Sequence, residues 1–378
     1  MSADEDRVPL VDLAAGHAEV AAEVEAGIAR VLAACSFVGG PDVAAFEAEF
    51  ARFTGVAHCV GVGNGTDALE FALRALDLGP GAGVVMPANT FVATAEATVR
   101  AGARPVFADV DDEYLLLDPR RAADASAEPA DVRALLPVHL NGQMAPMGAL
   151  RALAEARDVF LVEDAAQCQG ATQDGLGPGG WGPYAIAGTS FYPGKNLGAY
   201  GDGGAVLTGS ATYDLILREL RDHGSSEKYV HTRLGFNSRL DTIQAVVLRA
   251  KLARLDAWNE RRRAAAARYD ALLAGLADVR TPRTAPGNVH VWHLYAVRVP
   301  ERDKVLAQLG EAGIGAGVHY PVPVHLQPAF RELGYGRGDF PVAERAANEI
   351  LTLPLFPQIT AGQQERVVEA LAKALGGL

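Results

Sequence analysis

Short apolar runs alternate with longer amphipathic stretches through the first two thirds of the chain. Residues 59–62, 83–86, 105–108, 134–137, 159–162 and 203–208 are brief and rich in β-branched or small apolar residues, which predicts strands. Between them, residues 19–34 place Val20, Val24, Ile28, Val31 and Leu32 at helical spacing. Residues 67–78 do the same with Leu69, Phe71, Leu73 and Leu76, and residues 238–259 with Ile243, Val246, Val247, Leu252 and Leu255. Strands that are apolar throughout, separated by helices, imply βα units and a sheet covered on both faces, hence an α/β fold.

The pattern changes near residues 281–288, where Pro282, Pro286 and Gly287 fall close together. Beyond them come a predicted strand at 292–299, a helix at 302–312, a Pro-rich loop and a last helix at 361–375. This reads as a smaller α+β C-terminal domain. The expected division is a large domain at 39–260, a small domain at 261–378, and an arm at 1–38 that packs with the small domain.

The bulk numbers narrow the function classes. The chain has 378 residues, and 49% hydrophobic content suffices for a core without staples. A formal net charge of −12 is the opposite of a basic nucleic-acid footprint. Cys35, Cys59 and Cys168 cannot pair completely and show no C-x-x-C spacing, so free thiols in a reducing compartment are expected. The first residues are acidic, without a basic and apolar leader pattern, and no run reaches the length of a membrane span. A soluble, cytoplasmic protein is expected.

Three constellations carry candidate chemistry. Residues 159–167 (VFLVEDAAQ) form an apolar run ending in Glu163 and Asp164, an arrangement that delivers acids to the C-terminal edge of a sheet, where open α/β sheets bind ligands. The same spacing also fits a plain helix cap. Residues 189–198 (TSFYPGKNLG) hold Lys195 in a stretch dense in glycine and aromatics. An enclosed lysine loses solvation, which favours the neutral amine needed for imine chemistry; a surface turn would show the same residues. Residues 61–67 (GVGNGTD) lie between a strand and a helix, where backbone N–H groups can hold a phosphate. G-x-G-x-x-G fails because position 66 is Thr, and no Gly-Lys-Ser/Thr follows for a Walker loop. Together, a phosphate cradle, an acid at a strand end and a lysine are the parts of a pyridoxal-phosphate site.

Longer blocks add a resemblance. Residues 63–69 (GNGTDAL), 86–97 (MPANTFVATAEA), 162–169 (VEDAAQCQ), 190–204 (SFYPGKNLGAYGDGG), 235–245 (GFNSRLDTIQA) and 319–330 (HYPVPVHLQPAF) resemble the DegT/DnrJ/EryC1/StrS family of nucleotide-sugar aminotransferases. The resemblance implies fold-type I: a large domain with a mostly parallel seven-stranded sheet covered by helices, plus the smaller α+β domain. It implies pyridoxal 5'-phosphate as cofactor, bound as an internal aldimine to Lys195 and passing through pyridoxamine phosphate during turnover. By the same resemblance Asp164 meets the pyridine nitrogen and Gln167 the ring 3-oxygen. Gly65, Thr66, Asp67 and Ser190 hold the phosphate, Phe91 covers the ring, and Asn237 reaches the cofactor of a partner subunit in a homodimer.

For the substrate, the resemblance points to His319, Tyr320 and His325 in the Pro-rich loop. Tyr192, Tyr229 and Arg239 are further pocket candidates; Arg239 fits a structural ion pair equally well. A zinc site at the two histidines lacks a completing ligand. The implied reaction moves the amino group of L-glutamate to a keto-sugar nucleotide. Residues 222–229 (DHGSSEKY) resemble members that aminate C3, giving a 3-amino sugar from a dTDP-3-keto-6-deoxyhexose. Amination at C4 is the nearest alternative. A dehydratase of the same family carries histidine in place of the lysine, so Lys195 speaks against it. A cofactor-binding regulator would need a DNA-binding segment that the short acidic N-terminal arm does not supply.

Overall fold

Alternation with a period of two sorts the strand side chains into two cores. In the computed structural model, which describes residues 7–127 and 131–376, Val84 and Met86 point to one side of the sheet and Val85 to the other. Leu161 and Val162 divide in the same way, as do Ala187 and Ile186, and Leu207 and Val206. Successive side chains of a strand face opposite ways, so a strand buried on both faces must be apolar at every position.

The seven strands are β1 (His58–Val62), β2 (Gly83–Pro87), β3 (Arg104–Ala108), β4 (Val132–Leu135), β5 (Phe160–Asp164), β6 (Ile186–Ser190) and β7 (Gly204–Thr208). They lie in the order β1-β7-β6-β5-β4-β2-β3. Only β7 runs antiparallel to its neighbours. This is the mostly parallel seven-stranded sheet implied by the resemblance.

Differences from the sequence-based expectations are local. Strand β6 has no predicted counterpart, because IAGTS is short and contains glycine. The glycine has a reason: a Cβ on Gly188 would lie 2.9 Å from Leu69 Cδ2, so the helix Gly65–Ala75 rests directly on the strand backbone. The expected helix at 19–34 is the helix Ala21–Ala34, which starts after Val20 (φ −128°, ψ 2°) and follows a short helix, Leu13–Ala18, that has no predicted counterpart. The strand expected at 292–299 shortens to Tyr295–Arg298, because Trp292 adopts φ 49° and stacks on His290. The helix expected at 238–259 runs from Thr242 to Leu273, past residue 260. The acidic residues 1–6, read above for a leader pattern, lie outside the described residues. Among the described residues no helix is long and apolar enough to cross a membrane.

A third core joins Val8, the C-terminal half of the helix Thr242–Leu273, the strand pair Tyr295–Arg298 and Ile350–Leu353, and the helix Ala361–Gly376. Val8 is tied in by backbone bonds to Gly313 and Gly315. The helix Ala21–Ala34 packs instead on the first half of Thr242–Leu273, through Val20, Val24, Val247 and Trp258.

The edge strand β1 ends next to the candidate phosphate turn, and a buried acid fixes that end. Glu47 accepts the Gly61 N–H at 2.8 Å and pairs with Arg218 at 3.0 Å and with Arg221, which also donates to the Gly61 carbonyl. Glu47→Ala should lower the unfolding free energy by about 3 kcal/mol, the low end for a buried ion pair broken on one side, because Arg218 is partly exposed. Denaturant titration measures this, and an unchanged midpoint would show that the cluster does not hold β1.

Candidate active site

The two carboxylates that end β5 go opposite ways, as their neighbouring positions require. Glu163 is fully buried and meets His139 Nε2 at 2.9 Å and the Gly179 N–H at 2.8 Å. His139 Nδ1 accepts from the Ala145 N–H, so the ring proton sits on Nε2 and points at Glu163. This pair is structural. Asp164 faces a cavity of about 460 Å³ at the C-terminal edge of the sheet. Its Oδ2 accepts from Thr94 Oγ1 at 2.7 Å and its Oδ1 from the Ala166 N–H at 3.1 Å.

The turn after β1 lines another part of the same cavity. Asn64 caps the helix Gly65–Ala75, its side chain accepting the Asp67 N–H at 2.9 Å. The N–H groups of Gly65 and Thr66, in the first turn, have no intrahelical acceptor, and both residues line the cavity with Asn64 and Ser190. A Cβ on Gly65 would lie 2.5 Å from Ser190 Cβ, and one on Gly204 2.4 Å from the Asn64 carbonyl oxygen. Glycine at both positions lets the helix start sit against the ends of β6 and β7. Two hydroxyls and the positive end of a helix therefore converge where an anion would be held.

Lys195 sits on the loop between β6 and β7, within a tight turn closed by its own N–H on the Tyr192 carbonyl at 2.8 Å. A Cβ on Gly198 would lie 2.2 Å from the Pro193 carbonyl oxygen, so this fold of the loop requires glycine. Asn196 bonds Asn259 and the Val291 carbonyl, both at 2.9 Å, and Lys251 donates to the Gly198 carbonyl at 2.6 Å. Burial lowers the Lys195 amine to about 8, against the opposing pull of Asp164 and Cys168. His293 and His319 also line the cavity. Burial, with Lys195 next in effect, holds both below the usual imidazole range, so they stay neutral and add no positive charge beside the amine.

Gln167 completes the polar lining. Its carbonyl oxygen accepts the Asn141 N–H at 2.7 Å, which leaves the amide NH2 to donate to Tyr320 Oη at 3.2 Å, with one N–H to spare. Burial, reinforced by Asp164, pushes the Tyr320 phenol up, so it stays protonated. Phe91 packs against Tyr320 with ring centroids 5.1 Å apart, and Tyr192 lies exposed at the mouth.

The structure thus brings Lys195, Asp164, Gly65, Thr66, Ser190, Phe91, Gln167, Tyr192, His319 and Tyr320 to one cavity. Five sequence candidates lie away from its lining. The Asp67 carboxylate is taken up by Asn64, Arg100 and Ser238. A carboxylate would repel a phosphate, and here it braces the turn instead. The His325 ring is buried near Phe107 and Phe340 and meets Glu344. Arg239 pairs with Asp222 and Asn237, and Asn237 is thereby held beside it. Tyr229 is 84% exposed on the hairpin of Ser225–Glu227 and Val230–His231. Among the described residues no His/Cys/Asp/Glu cluster suits a metal ion. Asn64, Thr94 and Lys251 were not singled out in the sequence. Only the threonines at 90, 94 and 98, spaced by four, left a readable signal.

These residues fit pyridoxal phosphate. Open N–H groups and hydroxyls suit its phosphate, Asp164 a protonated ring nitrogen, the spare Gln167 N–H its ring oxygen, and an amine of lowered basicity its aldehyde. Comparison with known proteins agrees. The sequence profile of the DegT/DnrJ/EryC1/StrS aminotransferase family matches residues 19–372. The dTDP-3-amino-3,4,6-trideoxy-α-D-glucose transaminase of Streptomyces venezuelae is 46% identical over 371 residues, 98% of this chain and 96% of that protein. The UDP-N-acetyl-3-dehydro-α-D-glucosamine 3-aminotransferase of Acidithiobacillus ferrooxidans is 43% identical over 370 residues, 98% of each. The crystal structure of S. venezuelae DesV in complex with a ketimine intermediate matches with a TM-score of 0.94 at 46% identity, over 97% of this chain and 98% of that one. With such identity along almost its whole length, the chain belongs to the DegT/DnrJ/EryC1/StrS aminotransferase family.

Proposed function

We propose that this aminotransferase uses pyridoxal phosphate to move the amino group of L-glutamate onto a 3-keto-6-deoxyhexose carried on a nucleoside diphosphate, giving a 3-amino sugar. The observation that carries the cofactor reading is one cavity lined by Lys195, Asp164 and the Gly65–Ser190 contact. Position 3 is supported by the two relatives above, both named for a 3-amino product or a 3-aminotransferase activity. They differ in nucleotide, and dTDP is favoured by the more similar one.

When bound, the cofactor supplies an electron-withdrawing ring that makes hydrogen on the attached donor carbon acidic. The chain's own residues do the rest. The Lys195 amine, with its basicity lowered toward working pH, takes that proton from the donor and returns one to the sugar carbon that gains nitrogen. Asp164 would hold the proton on the ring nitrogen. The Gly65 and Thr66 N–H groups and the Ser190 hydroxyl would anchor the phosphate, leaving the lysine free to move the proton. Phe91 and Tyr320, packed on each other at the cavity, would exclude water from the ring.

A second copy of the chain completes the assembly in this reading. Tyr229, Val230 and Leu234 are large hydrophobic groups left exposed at and beside the 225–231 hairpin, Leu234 at 95%. Asn237, close by in sequence, is the residue expected to approach the partner's cofactor phosphate.

Four outcomes test this reading. Glutamate with a panel of keto-sugar nucleotides should yield a product whose amino group NMR places at C3; a C4 product would replace the substrate assignment. Cofactor uptake by the stripped protein should rise with pH through about 8, since the neutral amine reacts and its fraction grows as pH climbs through that value. An ordinary lysine would still be gaining reactivity near pH 10. Borohydride trapping and mass spectrometry should place the adduct on Lys195 and find none in Lys195→Ala; an adduct on Lys251, also lowered to about 8 by burial, would overturn the assignment. Leu234→Asp should shift the sedimenting species from dimer to monomer, and an unchanged species would remove this surface from the interface.

A further inference from the structure

Thr90, Thr94 and Thr98 recur at intervals of four and are all buried. The last two lie on the helix Val92–Arg100, which starts after Phe91. Residues four apart stack on one helix face, and a buried hydroxyl must find a partner. Thr98 Oγ1 solves this locally, donating to the Thr94 carbonyl at 3.0 Å. This is the usual back-bond of a threonine inside a helix. Thr94 does something else. Its hydroxyl leaves the helix and donates to Asp164 Oδ2 at 2.7 Å, on the end of β5.

The direction of the next bond follows from proton counting. Thr90 Oγ1 and Thr94 Oγ1 are 2.6 Å apart. A hydroxyl has one proton, and that of Thr94 is committed to the carboxylate. Thr90 is therefore the donor, and the chain runs one way, from Thr90 to Thr94 to Asp164. The other carboxylate oxygen accepts the Ala166 N–H at 3.1 Å. With a donor on each oxygen, the carboxylate cannot turn about its last bond without losing both. The titratable groups that face Asp164 are Lys195, Cys168 and Tyr320; none of them hydrogen-bonds its carboxylate.

We propose that Thr94, oriented by Thr90, is a positioning residue that fixes the Asp164 carboxylate as an acceptor aimed at the cofactor's ring nitrogen. This inference rests on the reading of Asp164 given above. Bonds in such a chain polarise one another, so the first link adds to the second. Removing the Thr94 hydroxyl leaves a buried carboxylate oxygen without a donor, whereas removing that of Thr98 touches neither Asp164 nor the cavity.

The test uses the purified holoenzyme of Thr94→Val, Thr94→Ser, Thr90→Val, Thr98→Val and Asp164→Asn. Three quantities are read: the pH midpoint of the bound cofactor's visible absorption band, the cofactor dissociation constant, and kcat against KM. Thr94→Val should move the band midpoint, weaken cofactor binding about tenfold and lower kcat with little change in KM for the sugar nucleotide. Thr90→Val should act in the same direction but less. Thr94→Ser, which keeps the hydroxyl, and Thr98→Val, which spares the chain, should match the wild type. Wild-type band midpoint and cofactor affinity in Thr94→Val, with Asp164→Asn altered, would overturn the inference alone. A wild-type Asp164→Asn would overturn the reading of Asp164 itself. Should Thr94→Val fail to fold, Thr90→Val decides, and a wild-type midpoint there overturns the chain.

Discussion

The helix Gly65–Ala75 begins in direct contact with two strand ends, and the cavity takes its geometry from that contact. Backbone meets backbone at Gly204 and Asn64, and Gly65 meets Ser190 with no room for a methyl group. Leu69 lies on Gly188 one turn later. Because these approaches are set by hard contacts, the open N–H groups of the helix and the Ser190 hydroxyl have fixed positions relative to the sheet. Asp164 lies on β5, next to β6 in the same sheet. The anion-holding end and the acid of the cavity are thus parts of one rigid layer, while the lysine alone is carried on a loop.

That loop is held by polar groups that carry little competing charge. Asn196, Asn259 and the neutral His293 form a buried network behind Lys195. Lys251, its own basicity lowered by burial, caps the Gly198 carbonyl and lies 4.4 Å over the Tyr200 ring. Full cations packed around Lys195 would depress its basicity further. Asn196 and His293 hold the loop without doing so, and Asp164 remains the dominant charge that the amine senses.

Much of this was legible in the sequence because it rests on local rules. Apolar runs gave six of the seven strands within two residues, and β5 ends later than its apolar run because the carboxylates Glu163 and Asp164 still belong to the strand. Strand β6 escaped because its glycine is needed for helix contact, which no period reveals. Lys195, Asp164, Gln167 and Ser190 stood in blocks long enough to resemble a known family. Asp67 and His325 stood in other such blocks, yet their side chains bond within the protein: sequence position does not say which way a side chain turns. Thr94 shows the converse. Its role depends on a partner 70 residues away, and only the fold brings the two together.

The pairing of Ser190 with Gly204 closes the lysine loop at its base. Its length is therefore locked to the register of the sheet: one residue more or fewer would either bulge the strand pair or displace Lys195 from the cavity. The hairpin at 225–231 has no such anchor in the sheet and stands in the open. The geometry therefore excludes insertions and deletions from the first segment and leaves room for them in the second. The chemistry thus requires a loop of fixed length, while the exposed hairpin is free to change its own.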